Sequence, residues 1–358
     1  MPAMVCFTLS TAGYLLSIGN LYQRNRHRPT RSFKSPTHEK LFNMIVAANE
    51  RIKSHVHRTP VERNYSNANL SFKCECDQLT GSFKLRGAFA KLTNLTKKSI
   101  TTASTGNHAL ATTHALNVLK GIGMEFNAQI FVPQNCNQVK LKKLKALNSP
   151  IKQFGFDAVE AEREARRVAK ERGITYVSPY NDFDIMSGQG TVGVEIIEQC
   201  PKVEAVFVPV GGGGLIVGIA AYIKAVRPSC KIVGCSPTNS ACLDLSVKAG
   251  RILREDEFPN QDTLSDGTAG GIDDDSCTYD FCSGEGSLVD EWVDVSEEEI
   301  KTGLRLVMDD HKKIVEGAAG VSVGSYLKVK ERYAELNCVV VLCGRNISTS
   351  TFCDIVKM

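Results

Sequence analysis

Paired cysteine spacings are missing from this chain. Thirteen cysteines are present, an odd number, and no two form a C-x-x-C pair; Cys74 and Cys76 are separated by a single residue. Zinc-ribbon spacing is therefore absent, and a secreted disulfide framework belongs to much smaller chains. Reduced thiols in a cytosolic or mitochondrial-matrix compartment are expected. Long apolar runs are missing too: the patch at residues 12–18 is far too short to span a bilayer, so no membrane partner is expected. Charge of one sign is scarce, with a net charge of +4 over 358 residues. Arg24, Arg26, Arg28, Arg31 and Lys34 all stand in residues 1–38, which hold no Asp or Glu. The remainder is close to neutral and offers no basic face for nucleic acid. Residues 1–37 read as a leader, either a mitochondrial transit peptide or a disordered extension.

What is present is strand–helix alternation. A chain of 358 residues exceeds the usual size of one hydrophobic core, so two lobes are the default. Residues 128–132 (AQIFV), 205–210 (AVFVPV), 231–235 (KIVGC) and 338–343 (CVVVLC) are short, nearly continuous apolar runs. Such runs suit parallel strands covered on both faces. Helical segments lie between them. In residues 157–171, Ala158, Ala161, Ala165 and Val168 form an apolar stripe, and Glu162 faces Arg166 one turn later. The alternation predicts an α/β fold with open parallel sheets. The polar stretch 260–286, with its acid run at 273–275, reads as surface loop and domain edge rather than a metal site. No sequence repeat is evident, and no added regulatory domain is expected after the last strand.

Three segments carry chemistry. Residues 81–88 read Gly-Ser-Phe-Lys-Leu-Arg-Gly-Ala, placing Lys84 behind Phe83 at the start of a helix. A solvated surface lysine needs no such framing, although a loop with a basic helix start is the plain alternative. Further on, a strand runs into Gly211, Gly212, Gly213 and Gly214, and a helix follows from Leu215. Consecutive glycines let backbone N–H groups approach a dianion, and the helix N-terminus adds partial positive charge. Neither a G-x-G-x-x-G turn nor a Gly-Lys-Ser/Thr loop fits this spacing. The third segment is Ser104-Thr105-Gly106-Asn107-His108, a small-residue turn between a strand and a helix. It suits a carboxylate, or alone an ordinary helix cap through Ser104 or Thr105.

Together, and in this order, the three segments resemble the serine/threonine dehydratase and serine racemase family of fold-type II pyridoxal 5'-phosphate (PLP) enzymes. The resemblance extends over residues 38–348, with further matches at 187–191, 316–320 and 342–346. It implies two open parallel-sheet α/β domains with PLP in the cleft between them: 38–98 with 179–352 as the large domain, and 99–178 as the small one. It also implies that Lys84 is the Schiff-base lysine and catalytic base, with Phe83 packed beside the cofactor ring. Asn107 would bond the ring hydroxyl, and Gly211 to Gly214 with Leu215 would hold the phosphate. Glu316 falls among the implied cofactor contacts, and Cys343 lies where the family has Ser or Cys facing the pyridine nitrogen. Ser104, Thr105, Gly106, Asn107 and His108 would bind the carboxylate of a small amino-acid substrate.

The activity so implied is loss of water and then ammonia from L-threonine or L-serine, giving 2-oxobutanoate or pyruvate. A homo-oligomer, dimer or tetramer, is expected. The alternatives are a serine or aspartate racemase, a dehydratase of another 3-hydroxy amino acid, or a PLP-binding relic without activity. Thr105 occupies the position at which racemases carry a second acid/base, and Tyr180 stands where dehydratases carry an aromatic. No metal site is expected, because Ser236 and Cys242 occupy places where metal-binding members of the family have carboxylates.

Overall fold

The computed structural model describes residues 35–136 and 138–357, so the expected leader lies outside the described residues. Ten strands occur among them: β1 (Val61–Arg63), β2 (Leu70–Lys73), β3 (Ser99–Ala103), β4 (Asn127–Val132), β5 (Ile151–Gln153), β6 (Thr175–Tyr176), β7 (Ala205–Pro209), β8 (Lys231–Pro237), β9 (Glu291–Val295) and β10 (Cys338–Val341). They build two sheets, one ordered β1-β2-β10-β7-β8-β9 and the other β5-β4-β3-β6. The smaller sheet is parallel throughout. The larger is parallel except at its edge, where β1 runs antiparallel to β2. The expected parallel sheets are thus present, with one antiparallel pair added at an edge. β1 is a half-exposed strand joined to β2 by a short connection, which only an antiparallel pair permits.

The helices that position the site are α1 (Pro36–Ile52), α2 (Lys84–Asn94), α3 (Asn107–Gly121), α4 (Gln138–Ala146), α5 (Ala158–Arg172), α6 (Phe183–Gln199), α7 (Gly214–Val226), α8 (Glu297–His311) and α9 (Gly317–Val329). Central strand β7 is buried at every position, as a continuous apolar run covered on both faces must be. In the smaller sheet the alternation of β4 sorts its two faces. Ile130 and Val132 join Leu141 and Leu144 in one cluster, and Phe131 joins Ala161, Ala165 and Val168 of α5 in another. Ala158, expected on that stripe, is exposed at the first turn. Asp157 caps α5 by accepting from the Glu160 N–H, and Gly173 ends it at φ 62°.

Close helix packing depends on missing side chains. A Cβ on Gly188 would lie 2.4 Å from the Arg86 carbonyl, and one on Gly218 would lie 2.4 Å from that of Met186. Helix α6 thereby touches α2 on one side and α7 on the other, which links the residues around Lys84 to the glycine loop. Stretch 260–286 is more than a surface loop. It contains the helix Cys277–Cys282, buries Ser265 and Phe281, and reaches back over the cleft. Among the described residues no helix is long and apolar enough to cross a membrane.

Candidate active site

Ligand clefts in open parallel sheets form at the carboxyl ends of the strands. Here β3 ends at Ala103, β7 at Pro209 and β10 at Val341, and the turns that follow converge on one cavity of about 300 Å³. Every residue assigned from sequence lines it: Phe83, Lys84, the turn from Ser104 to His108, Gly211 to Leu215, Glu316 and Cys343.

Lys84 opens α2 with its Nζ 5.2 Å from the centre of the Phe83 ring. Its ammonium donates to the Pro179 carbonyl at 2.7 Å, and among the described residues no carboxylate lies within ion-pairing distance of it. Removal from water, partly opposed by Cys343 and Glu316, pushes it down to about 8. An amine of that kind is neutral for a usable fraction of the time near physiological pH.

Two helix N-termini face the same space. At α7 the N-cap is Gly213, at φ 87° in the left-handed region, and no side chain caps the first turn. A Cβ on Gly212 would lie 2.4 Å from Cγ of Tyr180, and one on Gly213 would lie 2.6 Å from Leu243. The loop is therefore a cradle that side chains would fill, with backbone N–H groups left for an anion. At α3 the plain alternative, a helix cap by Ser104 or Thr105, does not form. Gly106 is the N-cap, and Ser104 Oγ accepts from the Gly106 N–H at 3.1 Å. A second set of first-turn N–H groups thus remains open.

The side chain of His108 is taken up within the fold. Its Nε2 lies 2.9 Å from Thr102 Oγ1 and 3.3 Å from the Val177 carbonyl, so the ring ties β3 to the chain after β6. Burial, with the charge of Lys84 behind it, pushes the imidazole down to about 3. It is a neutral packing group on the cavity wall, and any contribution to an anion comes from its backbone.

Glu316, also on the cavity lining, is buried and pushed up to about 7 by that burial. Its carboxylate accepts from Asn107 Nδ2 at 2.8 Å and from the Asn346 N–H at 2.9 Å. Cys343 Sγ stands 4.0 Å from Glu316 Oε1, and burial raises this thiol well above its ordinary value. Cys343 is therefore an uncharged group at the end of β10.

Other wall residues carry no signal in the local sequence pattern. Lys140 and Lys143 of α4 line the cavity with Asp266 and Thr268, and Lys140 Nζ pairs with Asp266 at 2.6 Å. Behind the lining residue Tyr180, the Asp273 N–H donates to Tyr180 Oη at 2.7 Å and Asp273 pairs with Arg166 of α5 at 2.7 Å. Asp266 and Asp273 belong to the stretch taken for a domain edge, and the pairing that draws them inward is tertiary. Ser236 and Cys242 are both buried. The group Cys74, Cys76 and Asp77 is close enough to share an ion and lies outside the cavity lining, with Lys313 Nζ 2.8 Å from Asp77.

The glycine cradle, the unpaired lysine and the uncharged thiol fit a phosphorylated aldehyde cofactor with a basic ring. The chain belongs to the pyridoxal-phosphate dependent enzyme family, whose model matches residues 52–344. Among curated relatives, the L-threonine ammonia-lyase of Thermotoga maritima is 34% identical over 315 residues, covering 86% of this chain and 75% of that one. The catabolic L-threonine dehydratase of Staphylococcus aureus is 33% identical over 326 residues, covering 87% and 91%. Among solved structures, the processed form of threonine deaminase isoform 2 from Solanum lycopersicum superposes with a TM-score of 0.80 at 29% identity, over 92% of this chain and 95% of that one. Maize serine racemase gives 0.77 at 30% identity, over 87% and 95%.

Proposed function

We propose that this protein is a PLP-dependent ammonia-lyase acting on L-threonine or L-serine. The observation that carries the reading is Lys84, an amine lowered to about 8 with only the Pro179 carbonyl on it, opening between two uncapped helix N-termini. One N-terminus suits a phosphate and the other a substrate carboxylate.

When bound, PLP supplies an electrophilic carbonyl and an electron-accepting ring. The amine of Lys84 would hold it, and as a free amine Nζ would serve as the base for the proton on the substrate α-carbon. Phe83 covers one side of that amine. Gly211 to Gly214 and the Leu215 N–H hold the phosphate, and the turn from Ser104 to His108 receives the carboxylate through its backbone. Asn107 offers an amide N–H to the ring oxygen. Cys343, kept as a thiol by burial, would be the uncharged partner of the ring nitrogen, without a charge to hold a proton there, which would favour loss of a β-leaving group over deeper carbanion chemistry.

Strands β3 to β6 all fall within residues 99–178, which supports that segment as the small domain and residues 38–98 with 179–352 as the large one. The described cysteines are free, which supports a reducing compartment, cytosol or matrix. The assembly we infer is a homo-oligomer, to be checked by sedimentation. The decisive assay adds L-threonine or L-serine to the PLP-loaded protein and measures ammonia and 2-oxo acid. Equal amounts of both support the lyase; neither product from either amino acid overturns it. One observation favours a second reading, racemisation: Thr105, which carries a hydroxyl, is among the residues lining the cavity. Chiral chromatography showing D-isomer forming faster than 2-oxo acid would establish that reading instead.

A further inference from the structure

Asn107 is held at both ends. Its Oδ1 accepts from Asn346 Nδ2 at 2.6 Å, and its Nδ2 donates to Glu316 Oε1 at 2.8 Å. Asn346 Nδ2 also donates to the Thr80 carbonyl at 2.9 Å, while the Asn346 backbone N–H donates to Glu316 Oε2 at 2.9 Å. These bonds form a closed ring around one cavity-lining amide, drawn from the chain before α2, the start of α3, the start of α9 and the chain after β10.

The direction of every bond in that ring is forced. A backbone carbonyl can only accept, so Thr80 requires the nitrogen end of the Asn346 amide. The second proton on that nitrogen meets Asn107, which must therefore present its oxygen there. The nitrogen of Asn107 then faces Glu316, whose other oxygen is taken by a backbone N–H that can only donate. One N–H of Asn107 remains for the cavity. With the amide reversed, Asn107 would set N–H against N–H at Asn346, whose nitrogen end the Thr80 carbonyl fixes. Gly344 makes room for this arrangement, since a Cβ there would lie 2.5 Å from Glu316 Oε1.

We propose that Asn346 is a positioning residue which, together with Glu316 and acting through Asn107, fixes the donor end of the Asn107 amide towards the cofactor's ring oxygen. The inference rests on Asn107 being the partner of that oxygen, as read above. Asn346 is not a catalytic residue in this account. It decides whether the group touching the ring donates or accepts, and through that the electronic state of the bound cofactor.

The test uses the visible absorbance of the PLP-loaded protein and the dissociation constant for PLP measured with the apoprotein. In Asn346→Asp the donor that selects the oxygen end of Asn107 is replaced by an acceptor of the same shape. Its band should move in the same direction as in Asn107→Ala, and PLP should bind about 5- to 10-fold more weakly, the effect of one hydrogen bond. In the double variant Asn107→Ala/Asn346→Asp, the second change should add less than about twofold, because its route of action is already gone. Glu316→Gln keeps size and removes charge, and should shift the band in the same sense with a smaller loss of affinity. It carries the test if the Asp variant does not fold.

A wild-type spectrum and affinity in both Asn346→Asp and Glu316→Gln overturn the proposal, provided Asn107→Ala has its effect. Fully multiplicative losses in the double variant overturn it as well, since Asn346 would then act independently of Asn107. A silent Asn107→Ala removes the assignment of Asn107 itself and the proposal with it, and leaves the lyase reading to the ammonia assay.

Discussion

Two cations stand two residues apart at the start of α2, Lys84 half-buried on the cavity and Arg86 fully buried, and their surroundings could hardly differ more. Arg86 is enclosed by carboxylates: its guanidinium bonds Glu75 twice at 2.8 Å and Glu195 at 2.7 and 3.0 Å, with Thr191 at 3.1 Å. Lys73 completes the group by donating to Glu195, to Gln199 at 2.9 Å and to the Thr59 carbonyl at 2.7 Å. Two cations and two anions therefore cancel in the core. Burial alone would raise the Glu75 carboxyl, and the guanidinium outweighs it, so Glu75 ends below its ordinary value. Lys84 has none of this: one carbonyl, no carboxylate, and an ammonium pushed down by burial. A paired charge is inert and fixes the scaffold. A charge left without a partner stores the desolvation penalty as reactivity.

Breaking the unpaired side has the largest expected effect. Lys84→Met removes the amine and keeps the volume, so turnover should fall by at least about three orders of magnitude and the band of lysine-bound cofactor should vanish. The apoprotein should become more stable at pH 7. A lysine that titrates near 8 when folded and 10.5 when unfolded binds its proton more weakly in the native state. The penalty is full below pH 8 and fades as pH rises from 8 towards 10.5, so the stabilising effect of Lys84→Met, up to about 3 kcal/mol, should shrink over that window. Urea unfolding at pH 7 and pH 10 measures it; equal gains at both would mean that Lys84 is not held away from water.

Breaking the paired side should act on stability instead. Arg86→Met leaves Glu75 and Glu195 buried beside a single cation, Lys73, a loss of about 3–5 kcal/mol by analogy with other orphaned buried charges. The protein that remains folded at low temperature should still show the cofactor band. If Arg86→Met instead abolishes the band in folded protein, the cluster contributes to the site, and the division between scaffold and chemistry is wrong.

Backbone access comes next. In Gly212→Val the new Cβ would fall 2.4 Å from the Tyr180 ring, whose hydroxyl is fixed by the Asp273 N–H, so loop and ring must part. PLP affinity should drop by at least about tenfold, as read by titration of the apoprotein. Unchanged affinity would take the glycine loop out of the phosphate site.

The split between legible and hidden features follows the same division. Lys84, the glycines and the turn from Ser104 to His108 stand in local patterns because each must sit at a strand end or helix start, a constraint on neighbouring residues. The apolar runs of β4, β7, β8 and β10 were legible for a similar reason, since strands buried on both faces admit little else. Edge strand β1, half-exposed and three residues long, has no such signature. Nor has the ring around Asn107: Thr80, Asn346 and Glu316 are drawn together by sheet order, and an Asn looks the same in sequence whether it caps, binds or orients another Asn. His108 shows the converse. Its position in the turn suggests ligand binding, yet its side chain was claimed by Thr102 and Val177, partners across the smaller sheet.

The smallest effect is expected at Cys343, and it sharpens the contrast from the other end of the cavity. The thiol is buried and 4.0 Å from Glu316 Oε1, and burial followed by that carboxylate keeps it from ionising. What the site has there is a small polar group without charge, the opposite of Glu75 beside Arg86. Serine meets the same description with slightly less volume. Turnover of Cys343→Ser should therefore stay within about threefold of the parent, with an unchanged pH profile, because both side chains remain neutral through the working range. Cys343→Asp would instead set two carboxyl groups side by side in a buried space, so one of them must hold a proton, and the pH dependence of the cofactor band should move. A loss of more than about tenfold in the serine variant, with the band intact, would show that the sulfur does something a hydroxyl cannot. The neutrality of that end of the cavity would then no longer be the property the protein maintains.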